Sequence, residues 1–131
     1  MQINELTECV IGGAIEVHRS LGPGLLESSY ELCLCRELNL RDVEFERQKP
    51  VPIEYKGVKL DWGYRADLLI AGLVLVEVQS LEALLPIHDA QLLSYLKLGG
   101  WSVGLLINVN VQFLKQGIRR KVLNFEEEVS F

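Results

Sequence analysis

Leu73 Val74 Leu75 Val76 Glu77 Val78 dictates more about the fold than any other stretch of this chain. Apart from Glu77 it is wholly apolar and rich in β-branched residues, the pattern of a central strand covered on both faces. A carboxylate inside such a strand needs an explanation. An isolated buried charge costs several kcal/mol unless it is paired, hydrogen-bonded or metal-bound. Glu77 therefore marks the middle of the sheet and is also the first candidate functional residue.

The rest of the chain supplies layers for that strand. Ile3, Leu6, Val10, Ile11, Ala14, Ile15, Val17 and Leu21 recur at helical spacing, which predicts an amphipathic helix from 3 to about 20, with Asn4 or Thr7 as its cap. Gly22 Pro23 Gly24 stops it, and a second helix is expected over roughly Leu26–Leu40. From Val43 the period changes to two. Strands are expected through Phe45 to Tyr55, with Pro50 and Pro52 marking an edge, then from Val58 to Leu60 after a Lys56 Gly57 turn, and from Tyr64 to Ile70 after a turn at Gly63. Ala71 Gly72 leads into the apolar strand. A helix is expected from Ile87 to Leu98, closed by Gly99 Gly100, followed by a buried strand from Val103 to Val109. The resulting order α, α, β, β, β, β, α, β predicts an α/β (mixed α+β) domain of three layers, with a parallel crossover through the third helix.

The 131 residues are enough for one domain, expected over 1–131, with a core that needs no disulfide or structural metal. Half the residues are apolar (49%) yet dispersed, so neither global disorder nor a membrane span is expected. Met1 Gln2 Ile3 Asn4 Glu5 has no basic leader region. The odd set Cys9, Cys33 and Cys35 reads as reduced, mostly buried thiols, and a cytoplasmic location is expected. A net charge of −5 argues against a basic module that coats duplex DNA, but not against an enzyme whose acidic centre holds a cation.

Asp67, in Tyr64 Arg65 Ala66 Asp67 Leu68 Leu69 Ile70, is the natural companion of Glu77. A strict two-residue turn at Ala71 Gly72 would pair Asp67 with Val76 and leave Glu77 on the other face. A three-residue loop centred on Gly72, or a bulge, would set Asp67 directly against Glu77. Converging oxygen ligands of this kind suit Mg²⁺ or Mn²⁺. An ion pair of either acid with Arg65 is the competing structural account. Gln79 leaves the same strand face as Glu77.

Gly24 Leu25 Leu26 Glu27 Ser28 Ser29 Tyr30 has the form Gly-x-x-Glu-x-x-Tyr. It is preceded by Ala14 Ile15 Glu16 Val17 His18 Arg19 Ser20 Leu21 Gly22 Pro23. Tyr64 Arg65 Ala66 Asp67, Leu84 Leu85 Pro86 Ile87 His88 and Ala90 Gln91 Leu92 Leu93 follow in order. From about Glu5 to Leu123 the chain resembles the bacterial and archaeal GxxExxY proteins, a group placed in the PD-(D/E)XK nuclease superfamily. That resemblance implies a restriction-endonuclease-like core of αβββαβ order and divalent-metal-dependent cleavage of DNA or RNA. It implies Glu27, Asp67 and Glu77 as ligands of Mg²⁺ or Mn²⁺, Glu77 and Gln79 at the Glu-x-Lys motif, and Gln91 at a polar helix position. Arg65 is a candidate phosphate contact.

One departure matters. Where the group usually has Lys, this chain has Gln79, which neither accepts a proton nor carries charge, though its amide can orient water. Lys59 or Lys97 could take over the role. The alternative function is therefore an inactive nuclease-fold module for binding or assembly, with a homodimer as its simplest form. His18 and His88 read first as packed or surface groups, Trp62 and Trp101 as core or interface residues, Tyr30 as a packing residue with its hydroxyl at the rim, and Arg119 Arg120 Lys121 as a solvated basic run.

Overall fold

A computed structural model describes residues 1–124, apart from the side chains at positions 61 and 62; the candidate Trp62 and the last seven residues of the expected domain thus lie outside the described part. The elements run α1 (Ile3–Leu21), α2 (Glu27–Leu40), β1 (Phe45–Tyr55), β2 (Val58–Ile70), β3 (Val74–Gln79), α3 (Pro86–Gly99), β4 (Val103–Asn108), a short 3₁₀ turn (Leu114–Gly117) and β5 (Ile118–Val122). The expected αβββαβ order is present, with one extra helix ahead of the strands and β5 after them. The five strands form one sheet in the order β1-β2-β3-β4-β5. Only β3 and β4, joined through α3, run parallel.

Both faces of the sheet are covered. On one side α1 and α2 bring Leu6, Val10, Ala14, Tyr30, Leu34 and Leu38 onto Leu68, Ile70, Val74, Val76, Leu105 and Ile107. On the other, Leu92 and Leu96 of α3 pack on Val51, Ala66, Leu75 and Leu106. The apolar run behaves as its composition requires, since β3 is buried from Val74 to Val78. Among the described residues no helix is long and apolar enough to cross a membrane. The three cysteines are free thiols, with Cys35 buried and Cys9 and Cys33 half-buried.

Three local expectations need correction. Helix α1 starts after Gln2 without a side-chain cap, and the Thr7 hydroxyl instead donates to the Asn4 carbonyl at 2.9 Å. Gly63 is not a turn. It lies inside the continuous strand β2, where a Cβ would stand 2.1 Å from the Val51 carbonyl oxygen, so glycine is required by close backbone approach rather than by chain reversal. Arg119, Arg120 and Lys121 belong to the edge strand β5 rather than to a solvated run. Arg119 is bound to Asp89 at 2.7 Å, Lys121 lies 3.6 Å from the same carboxylate, and Arg120 donates to Asn4.

Candidate functional site at the β2–β3 fork

The loop between β2 and β3 decides how Asp67 and Glu77 meet. Ile70 pairs with Val74, Leu69 with Leu75 and Leu68 with Val76, so the connection is the three-residue loop Ala71 Gly72 Leu73. Ala71 and Gly72 both take positive φ there. Asp67 and Glu77 each follow the last pair, Leu68–Val76, by one residue. At that step the strands part, and the Asp67 carboxylate, through Oδ2, accepts the Val78 backbone N–H at 2.8 Å.

Strand β2 also changes face at this point. Residues two apart share a face in a regular strand, yet Ala66 packs in the α3 core and Leu68 in the α1–α2 core. The β1–β2 ladder skips the pair Gln48–Asp67 between Arg47–Leu68 and Lys49–Ala66, and Gln48 adopts φ 50. The local twist turns the Asp67 side chain toward β3. Gln48 reaches over from β1, with Nε2 3.5 Å from Asp67 Oδ1.

Glu77 faces α3. It lines a small cavity of about 60 Å³ with Tyr64, Gln79, His88, Gln91, Leu92, Tyr95 and Leu106. The Tyr64 and Tyr95 rings stack over this side of the sheet at a centroid distance of 3.4 Å. Glu77 is 5% exposed, and its Oε1 is buried without a hydrogen-bond partner among the described residues. Burial pushes the Glu77 carboxyl up to about 8, against a backbone hydrogen bond from Asp67, with the charge of Glu31 adding to the rise. Burial also pushes Asp67 up to about 6, the Val78 amide opposing it and the charges of Glu31 and Glu27 adding. Both acids thus prefer the protonated form more than a free carboxyl does, chiefly because water is excluded.

Helix α2 supplies the remaining acids. Glu27, exposed at its first turn, accepts the Ser80 backbone N–H at 2.8 Å and so tethers α2 to the end of β3. It borders an open cleft of about 610 Å³ formed by Pro23 to Ser28, Ser80 and Asn110. Another cleft of about 600 Å³, lined by Asn39, Asp42, Val43, Glu44, Phe45, Glu46, Leu69, Ala71 and Gly72, lies at the opposite end of the β2–β3 pair, away from these groups.

Glu31, one turn after Glu27, was not singled out by the sequence reading. It is 4% exposed and holds Arg47 by two hydrogen bonds, 2.6 Å from Nη2 and 3.1 Å from Nε, both to Oε2. Gln48 Nε2 donates to its other oxygen at 3.1 Å. The i, i+4 spacing from Glu27 was the available signal, since it places both acids on one helix face. Asn108 was also passed over. Buried at the end of β4, it accepts the Leu81 N–H and donates to the Leu81 carbonyl, each at 3.0 Å, and so pins the loop after Gln79.

Other sequence candidates lie elsewhere. Arg65 is exposed on β2 and pairs with neither acid among the described residues; the acid that is both buried and ion-paired is Glu31, with Arg47. Gln91 borders the Glu77 cavity from α3, while Lys59 and Lys97 are exposed. Tyr30 is fully buried rather than at a rim, and its hydroxyl donates to the Ala14 carbonyl at 2.5 Å. His18 donates from Nε2 to the Val111 carbonyl at 2.7 Å, and His88 Nδ1 accepts the Leu85 N–H at the start of α3. Trp101 packs against Gly99 in the α3 core.

The fold brings Glu27, Glu31, Asp67 and Glu77 to one end of the β3 strand. It does not close them on a single point: among the described residues no three His, Cys, Asp or Glu side chains are arranged to hold a metal ion. The donor chemistry nonetheless fits a hard divalent cation, since among the described residues Glu77 offers a buried, unpartnered oxygen at the same end of β2–β3 as Asp67. A family model for the PD-(D/E)XK nuclease superfamily matches residues 4–121. No curated protein and no solved structure matches the chain.

Proposed function

The chain belongs to the PD-(D/E)XK nuclease superfamily, and from that membership we propose that it is a divalent-metal-dependent phosphodiesterase of low activity toward DNA or RNA. The observation that carries this reading is the unpartnered Oε1 of Glu77, buried in the central strand beside Asp67. Asp67, Glu77 and Glu27 are the residues that would hold Mg²⁺ or Mn²⁺. When bound, such a cation acidifies a water and offsets charge developing on the phosphate. The protein contributes position. The Val78 amide fixes one Asp67 oxygen, the Ser80 amide fixes Glu27, and the Tyr64–Tyr95 stack shields Glu77 from solvent. Gln79 orients water through its amide but supplies neither a base nor a positive charge. Gln91, on the same cavity, and exposed Arg65 are assigned substrate contacts.

Losing one electrostatic stabiliser of a transition state typically costs on the order of 10²–10³ in rate. Gln79→Lys should therefore raise metal-dependent cleavage of single- and double-stranded DNA or RNA, and Asp67→Ala should abolish it. Robust wild-type cleavage that Gln79→Lys reduces would overturn this account, because Gln79 would then already be the working residue.

A second reading, a nuclease-fold assembly module, draws support from the β1–β2 hairpin. Ile53 pairs with Leu60 and Tyr55 with Val58, so all four share one face of the ribbon. That face is 39–62% exposed. A homodimer that covers it would show as twice the monomer mass in light scattering, reverting to monomer on Tyr55→Ser with Val58→Ser.

A further inference from the structure

The proposed reaction leaves the site short of positive charge, because an amide occupies the motif position of the lysine. Arg47 is a cation that the fold ties to Glu31, one of the acids at this end of the sheet. On β1 it is paired with Leu68, the neighbour of Asp67. Its guanidinium is held by Glu31, and Glu31 is joined through Gln48 to Asp67, with Gln48 Nε2 3.1 Å from Glu31 Oε1 and 3.5 Å from Asp67 Oδ1. Arg47, Glu31, Gln48 and Asp67 thus form one continuous polar chain reaching the fork.

The form of the Arg47–Glu31 pair is informative. A guanidinium has five N–H donors in a planar fork. Arg47 directs two of them, from Nε and Nη2, at the same carboxylate oxygen. The other three have no partner among the described residues. The Glu31 side chain is 5% exposed, whereas that of Arg47 is 41% exposed, so the pair is buried on the acid's side and open on the cation's. The hydrogen bonds to Glu31 favour the charged form of Arg47. An arginine anchored on one edge and open on the other is preorganised for a phosphate, whose oxygens match two parallel N–H groups. Among the described residues the exposed Lys59 and Lys97 have no corresponding tie to the fork.

We propose that Arg47, anchored by Glu31, is the phosphodiester-binding cation of this site and supplies the positive charge that Gln79 does not. The ligand class is the sugar–phosphate backbone, bound at one phosphate without base selection. This rests on the nuclease reading of the fork, and the experiment separates the two. The full chain is titrated with a fluorescent single-stranded DNA and with a duplex in Ca²⁺, over a range of salt, for wild type, Arg47→Met and Arg47→Lys. The melting temperature of each protein is followed with and without the metal.

Arg47→Met should weaken binding about tenfold. It should also lower the slope of log affinity against log salt by about one phosphate contact. The metal-induced rise in melting temperature should persist in this variant. Arg47→Lys should keep the salt slope while losing part of the affinity, since a point charge cannot bind two oxygens at once. Wild-type affinity and slope in Arg47→Met would overturn the assignment and leave Arg47 as a structural partner of Glu31. So would a wild type that gains thermal stability from metal yet binds neither DNA, an outcome that leaves the metal site standing. A wild type with neither response removes both proposals. Should Arg47→Met fail to fold, Arg47→Lys carries the test, and wild-type affinity in that variant overturns the assignment.

Discussion

Asp67 and Glu77 each come one residue beyond Leu68–Val76, the last pair of the β2–β3 ladder, and there the Asp67 carboxylate accepts the backbone N–H of Val78. The two acids consequently occupy different environments. Asp67 is held at the fork by an amide, while Glu77 is enclosed beneath α3 with a bare oxygen. Much of the behaviour of the protein with pH and with metal follows from that difference.

The first expectation is a loss of stability as pH rises. Burial lifts Glu77 to about 8 and Asp67 to about 6, so between the ordinary carboxyl range and those values the folded state holds protons that the unfolded chain has released. Where the folded state binds more protons, stability falls with increasing pH. The fall should begin near the ordinary carboxyl range and level off above about 8. Glu77→Gln removes most of it and should raise stability at alkaline pH by roughly 1–3 kcal/mol, several degrees in Tm. Thermal unfolding of both proteins in metal-free buffers from acid to alkaline pH is the measurement. A wild type that becomes more stable over this range would show Glu77 to be ionised normally.

Divalent cations should reverse that loss. Metal binds deprotonated carboxylates, so the gain in Tm from Mg²⁺ or Mn²⁺ should be larger at pH 8 than at pH 6. At a hundredfold excess over Kd the stabilisation is about 2.7 kcal/mol. Asp67→Ala should remove it. A gain that ignores both pH and Asp67 would place the cation elsewhere on the surface.

The register at this site could be narrowed from the sequence but not chosen. Gly72 admitted two turns, and only the pairing of Ile70 with Val74 decides for the three-residue loop. The buried strand and the helices were legible because burial writes a period into the sequence, as in Val74 to Val78 or Leu6 to Val17. Gly63 was misread because a glycine demanded by the Val51 carbonyl looks the same in sequence as one demanded by a turn. Strand β5 was hidden by Arg119, Arg120 and Lys121, whose charges are compatible with a strand only at a sheet edge with Asp89 nearby. Arg47 and Gln48 sit in a polar stretch with no motif, and nothing local says that β1 carries them to Glu31.

Gly63 gives a sharp test of the close approach. A methyl group at this position would meet the Val51 carbonyl oxygen at 2.1 Å and the Pro52 Cα at 3.0 Å, both backbone atoms that cannot rotate away. Gly63→Ala should therefore cost about 1–3 kcal/mol by forcing the strands apart. Chemical denaturation measures it directly. Gly24→Ala, where a Cβ meets nothing within 4 Å, is the control and should change little.

Asn108 should govern the loop that follows Gln79. Its Oδ1 accepts the Leu81 N–H at 3.0 Å and the Asn110 N–H at 3.3 Å, and its Nδ2 donates to the Leu81 carbonyl. At 2% exposure there is little water to replace those bonds. Asn108→Ala leaves the half-buried Leu81 N–H without its partner, while the Leu81 carbonyl keeps the bond from Asn110 Nδ2, a cost of about 1 kcal/mol. The loop begins at Ser80, whose amide holds Glu27, so the effect should spread along the chain to that carboxylate. Hydrogen exchange should show faster exchange at Ser80 and Leu81 while the β3 amides from Val74 to Val76 stay protected. Unchanged protection at Leu81 would mean that the tether to Glu27 holds the loop without Asn108.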